Sequence, residues 1–184
     1  TTRVAVVGLA DDPPAVYFPG LIGDSSTTME LSFPGHMSAA EFLNNHWQKK
    51  PLLMPGALGS YRCPIGPEEL AGLALESEIE SRIVLEQGGN HPWEVRHGPF
   101  DEASFASLPA THWTLLVQDV DKHVDRVAEL LDAFAFMPDW RLDDIMISYA
   151  ADQGSVGPHI DDYDVFLLQT GGTRRWRIDT RPVS

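Results

Sequence analysis

The sequence predicts an α+β domain built around an antiparallel sheet. Three observations predict it. Apolar runs rich in Val, Ile, Leu and aromatic residues recur at residues 82–86, 93–97, 113–120, 144–149 and 163–169, each at strand length. The connections between them are short and marked by Gly, Pro and Asn. Two stretches ahead of the first run carry helical spacing with start signals of their own.

Residues 1–37 come first and have no assigned place. Arg3-Val4-Ala5-Val6-Val7-Gly8 has the look of a strand opening a dinucleotide fold. The following Leu9-Ala10-Asp11-Asp12-Pro13-Pro14 lacks the glycines of that fingerprint, and its prolines forbid a helix there. Asp24-Ser25-Ser26-Thr27-Thr28 reads as a link, and the whole as an extension laid against the domain. At Ser38 a helix begins, since Ser38-Ala39-Ala40-Glu41 is a capping box. Phe42 with His46, and Leu43 with Trp47, fall at i, i+4 on its inner face. Lys49-Lys50-Pro51 ends it. His46 reads as a packing residue. Leu52-Leu53-Met54 reads as a short strand, and Pro67 opens a second helix through Glu76.

Arg82–Glu86 and Trp93–His97 alternate around Gly88-Gly89-Asn90 and make a hairpin. His91 and His97 flank it as surface or structural groups. Phe105 lies in a short helix before Pro109. Trp113–Val120 is a buried strand. Asp121 then caps a helix in which Val124, Val127, Leu130 and Leu131 recur, ending before Pro138. His112 and His123 have no partner at ligand spacing. Asp144–Tyr149 is the next strand, and a Gly-rich turn leads on to His159.

Composition narrows the function. With 27 acidic against 13 basic residues in 184, the formal net charge is −14. That argues against a phosphate-binding surface for nucleic acid and suits a basic protein partner. The single cysteine, Cys63, forms no internal disulfide. With no secretory signal in view, the expected compartment is a reducing cytoplasm. No apolar run approaches the ~20 residues that span a bilayer.

The chemistry gathers at Gly157-Pro158-His159-Ile160-Asp161-Asp162-Tyr163-Asp164-Val165-Phe166. Read as a strand entering the sheet after a Gly-Pro turn, it alternates faces. His159, Asp161 and Tyr163 then share one side, with Asp162 and Asp164 on the other. An imidazole beside a carboxylate supplies two of the three ligands of the 2-His-1-carboxylate triad that holds non-haem Fe(II). The plainer reading is a core histidine bonded to an aspartate. Thr170-Gly171-Gly172-Thr173 then signals a tight hairpin, and Arg174 to Ile178 a second strand. Folded back, that strand brings Arg174 or Arg175 near the ligands, where a guanidinium can clamp the far carboxylate of a dicarboxylate co-substrate.

His159-x-Asp161 with a basic residue fifteen positions after the histidine resembles the JmjC class of Fe(II)- and 2-oxoglutarate-dependent oxygenases. Three longer stretches are similar to one branch, the bacterial ribosomal oxygenases. They are Leu43 through His46-Trp47-Gln48-Lys49-Lys50-Pro51 to Leu53, Asp139-Trp140-Arg141 through Asp144 to Tyr149, and Gly157 to Phe166. The resemblance spans Met37 to Ile178.

It implies a double-stranded β-helix, the jelly-roll of cupins, and an enzyme hydroxylating an arginyl side chain of a large-subunit ribosomal protein. It implies Fe(II) and 2-oxoglutarate as cofactors, with His159 and Asp161 as metal ligands. Arg174 matches the residue holding the distal carboxylate of 2-oxoglutarate, and Arg175 alternates away from it. Ser148 matches a position that hydrogen-bonds the same molecule.

The family's third ligand is a downstream histidine, and no histidine follows His159 in this sequence. The expectation is therefore an N-terminal portion, residues 38–184, of a JmjC/cupin domain whose later strands are absent. Its 184 residues alone are not expected to turn over substrate. A homodimer of the intact protein stays open. Two other readings compete: a non-catalytic cupin-like module that binds a basic protein, and a JmjC demethylase acting on N-methyl-lysine.

Overall fold

The computed structural model describes residues 2–7, 29–59, 61–88 and 92–179. Six strands form one sheet: β1 (Thr2–Val7), β2 (Ser81–Glu86), β3 (Trp93–His97), β4 (Trp113–Val117), β5 (Leu142–Ala150) and β6 (Asp164–Gln169). Their order across the sheet is β3-β2-β4-β5-β1-β6. The pairs β2–β3, β2–β4 and β4–β5 are antiparallel, as the alternating runs predict. β1, from the stretch that the sequence leaves unassigned, lies between β5 and β6 and runs parallel to both. Of the residues read as the hairpin's turn, Gly89 and Asn90 fall outside the described residues, as do the flanking His91 and the link Asp24–Thr28.

Helices cover one face of the sheet: α1 (Ala39–Asn45), α2 (Pro67–Leu73), α3 (Glu102–Ala106), α4 (Val120–His123) and α5 (Asp125–Ala128). α1 starts where the capping box predicts. Ser38 accepts from the Glu41 amide at 3.2 Å, and Glu41 Oε2 accepts from the Ser38 amide at 2.8 Å. Alternate residues of the strands supply the core: Ile83 and Leu85, Leu115 and Val117, Ile145 and Ile147, with Phe166 of β6. Against them pack Phe42, Leu70, Val127, Leu130 and Phe134. This period-two selection follows from the pleat, which turns every second side chain to the same side.

Four expected elements differ. Leu52-Leu53-Met54 forms no strand. Leu53 is 82% exposed there, so nothing rewards an extended ladder. The helix predicted after Asp121 is broken into α4, α5 and a 3-10 turn at Glu129–Phe134. Val124 is extended between α4 and α5, at φ −134°. Asp121 does not cap a helix; its carboxylate accepts the backbone N–H of Ile145 at 2.7 Å and pins α4 to β5. The residues from Thr173 to Asp179 carry no strand, so the predicted hairpin partner of β6 is not formed. The strand after Gly157 begins only at Asp164, which leaves His159 and Asp161 ahead of it in irregular chain. Among the described residues no helix is long and apolar enough to cross a membrane.

Candidate functional site

The segment from Pro158 to Tyr163 joins no ladder; the turn at Gly157 precedes it and β6 follows it. Gly157 sits at φ +73°, in the left-handed region that glycine enters without penalty. A Cβ built there would lie 2.9 Å from the Trp93 indole, so the ring of β3 packs directly on this backbone. Gly157→Ala therefore meets both a strained φ and an overlap. We expect it to lower stability by about 1–3 kcal/mol, read from the midpoint of urea unfolding. An unshifted midpoint would show that the turn is not held this way.

From that turn the chain places His159 beside Asp161. Their Nε2 and Oδ2 atoms are 3.4 Å apart, with the two side chains 49% and 34% exposed. The strand alternation invoked for them does not exist, yet the pairing it predicted does. The other ring nitrogen, Nδ1, lies 2.9 Å from the Gly157 carbonyl oxygen. A carbonyl only accepts, so Nδ1 carries the hydrogen. In the neutral imidazole that leaves the Nε2 lone pair turned toward a carboxylate. Two acceptors at this separation repel unless a proton or a metal ion lies between them. One divalent ion with bonds of roughly 2.1 Å could touch both. The donor set and its orientation fit a metal. Among the described residues no third His, Cys, Asp or Glu joins the pair into a three-donor cluster.

Beside the pair opens a cleft of about 1300 Å³. One wall is the chain after α1, from His46 to Leu58, and the other is Asp161 to Thr170. Asp161, Asp162, Tyr163 and Asp164 all line it. Asp161 and Asp162 lie in irregular chain ahead of β6, where the alternation expected of a strand does not apply, and Asp164 is the first residue of β6. Two contacts that the sequence reading missed join the walls. Gln48 Nε2 donates to Asp164 Oδ2 at 2.9 Å, and the rings of Trp47 and Phe166 stack at 5.4 Å and 20°. The signal available was the polar Gln48 directly after an apolar helical face. His46 does pack, its ring stacked on Phe42 at 6.4 Å.

The two remaining candidates lie elsewhere. Ser148 is buried on β5, where it pairs with Val7 of β1, itself paired with Gln169. It is thus level with the far end of β6 from Asp164. Arg174 follows that same end. Its guanidinium carbon lies 5.8 Å from the Trp176 ring centroid, and burial pushes its pKa below the usual arginine value. Trp176 lines the cleft. The structure brings His159 and Asp161 together; Ser148 lies level with the Gln169 end of β6, and Arg174 follows that end in sequence, beside a Trp176 that lines the same cleft as Asp161.

Comparison with known proteins bears on this arrangement. Residues 129–184 match the family described as JmjC domain. The chain is 49% identical over 138 residues to the ribosomal protein uL16 3-hydroxylase of Escherichia coli, covering 75% of this chain and 36% of that protein. It superposes with a TM-score of 0.65 and 43% identity on a structure of YcfD, a ribosomal oxygenase from Escherichia coli, in complex with cobalt and 2-oxoglutarate. That match covers 72% of this chain and 35% of the other. A further crystal structure of Escherichia coli YcfD matches with a TM-score of 0.64 and 44% identity, over 72% of this chain and 35% of that one. The chain spans little more than a third of the length of the curated relatives it matches.

Proposed function

We propose that this chain is part of a JmjC-type oxygenase, 2-oxoglutarate-dependent and acting on a ribosomal protein, in which His159 and Asp161 hold Fe(II). The match of residues 129–184 to the JmjC domain and the 49% identity to a ribosomal protein hydroxylase support this reading. The observation that carries this is the oriented pair. The Gly157 carbonyl fixes the Nδ1–H of His159, and Nε2 then faces the Asp161 carboxylate at 3.4 Å. Fe(II) with 2-oxoglutarate supplies the oxidation of an unactivated C–H bond by dioxygen. The chain's own residues bind and orient. Arg174 takes the distal carboxylate of 2-oxoglutarate. Its guanidinium is partly desolvated, a state that strengthens a bond to an anion. Ser148 donates to the same carboxylate.

The substrate is an arginyl side chain of a basic large-subunit ribosomal protein, met in the cytoplasm, with no direct contact to nucleic acid and none to a membrane. A net charge of −14 supports recruitment of such a partner. Asp161, Asp162 and Asp164 on one cleft wall offer it carboxylates.

The test is titration of the chain with Co(II), followed by ligand-field absorbance, and then with 2-oxoglutarate. Uptake of one Co(II) and a spectral change on adding 2-oxoglutarate are expected. Absence of Co(II) binding would leave the second reading, a metal-free module that docks a basic protein. That reading is favoured by the two-donor count among the described residues. Arg174→Ala should weaken 2-oxoglutarate by roughly 10–100-fold, the worth of a charge-assisted bond, with Co(II) uptake intact. Equal affinity in wild type and variant would remove Arg174 from the site. For the protein at its relatives' full length, mass spectrometry of the substrate separates hydroxylation, a gain of one oxygen, from demethylation, the loss of a methyl group.

A further inference from the structure

We propose that Gln48 is a positioning residue for the His159–Asp161 pair, acting through Asp164. The proposal rests on the reading of that pair as the metal-holding part of the site. The pair lies in backbone that no ladder secures. Upstream, the Trp93 ring confines Gly157. Downstream, the first residue of β6 is Asp164, and its Oδ2 accepts from Gln48 Nε2 at 2.9 Å across 116 positions of sequence. Two residues further on, Phe166 is buried against the Trp47 ring. Trp47 and Gln48 therefore contact alternate residues of one strand, directly after the segment that carries the pair.

The conformation of Gln48 points the same way. Its φ is +56°, a left-handed value that is uncommon outside glycine and is kept where surrounding contacts over-determine it. The turn is closed behind it by the Lys49 and Lys50 amides, which donate to the His46 carbonyl at 2.9 and 3.0 Å. The chemistry of the amide also matters. Asp161, Asp162 and Asp164 stand within four positions. A cation at position 48 would compete with a metal for all three carboxylates. A neutral N–H donor binds Asp164 and leaves the charge of Asp161 uncompensated. Lys49, next in the chain, also lines the cleft, but its Nζ donates to the Asn44 carbonyl.

The experiment uses the full chain with Gln48→Ala, Gln48→Glu and Asp164→Asn. One readout needs no metal: amide hydrogen exchange of residues 159–163, followed by mass spectrometry in chelator. The other is Co(II) affinity by absorbance. In Gln48→Ala, exchange should rise and Co(II) should bind about tenfold more weakly, the usual cost of losing an outer-shell partner. The global unfolding midpoint should stay near wild type. Asp164→Asn keeps an acceptor oxygen and should behave as wild type, whereas Gln48→Glu, of equal size but like charge, should match Gln48→Ala or exceed it.

Wild-type exchange in Gln48→Ala would overturn the proposal. So would faster exchange with unchanged Co(II) affinity, because the bond would then order the segment without placing the ligands. A wild-type chain that takes up no Co(II), while Gln48→Ala still speeds exchange, would remove the functional reading and keep the restraint.

Discussion

Asp161→Ala is expected to abolish measurable Co(II) uptake by the chain. Of the oriented pair only His159 Nε2 would remain, and a lone imidazole on a half-exposed side chain competes poorly with water. The loss should exceed the roughly 10–100-fold that follows removal of an outer-shell partner. Asp161→Asn separates the two ingredients of the effect. It keeps the size and one acceptor oxygen but removes the charge, so it should fall between wild type and alanine. Both variants should unfold near the wild-type midpoint, because the side chain lies at an exposed cleft margin and supports no core contact. Retention of wild-type Co(II) affinity by Asp161→Ala would end the ligand assignment, and with it the proposed activity.

The second large effect concerns stability. Phe166 is 6% exposed, and its ring centroid lies 4.8 Å from that of Phe134, 5.4 Å from Trp47 and 6.0 Å from Phe42. Phe166→Ala removes the ring on which α1, the 3-10 turn at Glu129–Phe134 and β6 converge. Such truncations cost about 3–5 kcal/mol, against a total stability of roughly 5–15 kcal/mol for a domain. Urea unfolding should therefore show a much lower midpoint. Leu167, the next residue, is 45% exposed, and Leu167→Ala should change stability by less than about 0.5 kcal/mol. If the two variants behaved alike, the aromatic cluster would not be the core of this region.

Much of the fold is legible in residues that are near one another in sequence. The Ser38–Glu41 box, the alternation of β2 and β3, and the buried run of β4 are local signals, and each yields the element it implies. The misreadings arise where distant groups decide. Asp121 reads as a helix cap until Ile145 supplies a backbone N–H to its carboxylate. Leu52-Leu53-Met54 has strand composition but finds no partner strand. The run from Arg174 to Ile178 is in the same position.

The site is legible to a similar degree. The Gly-Pro turn and the spacing of His159 and Asp161 were enough to pair an imidazole with a carboxylate. The means differed, since a turn against Trp93 does what a pleat was expected to do. Gln48 was not found, because its meaning depends on Asp164, and no periodicity links those positions. The placement of Ser148 toward the other end of β6 follows from the register of β1, which no local pattern states.

That register has a kinetic side. Thr2 pairs with both Leu142 and Asp164, so the two ladders of β1 join segments separated by most of the sequence. The β2–β3 hairpin closes a short loop and can form early, whereas the β5–β1–β6 half must wait for a costly long-range encounter. Until that encounter, the nine residues of β5 keep one row of N–H and C=O groups bare. An intermediate of this shape invites pairing between copies. The step that completes the sheet is therefore also the one at which concentration and temperature during refolding should decide between native yield and precipitate.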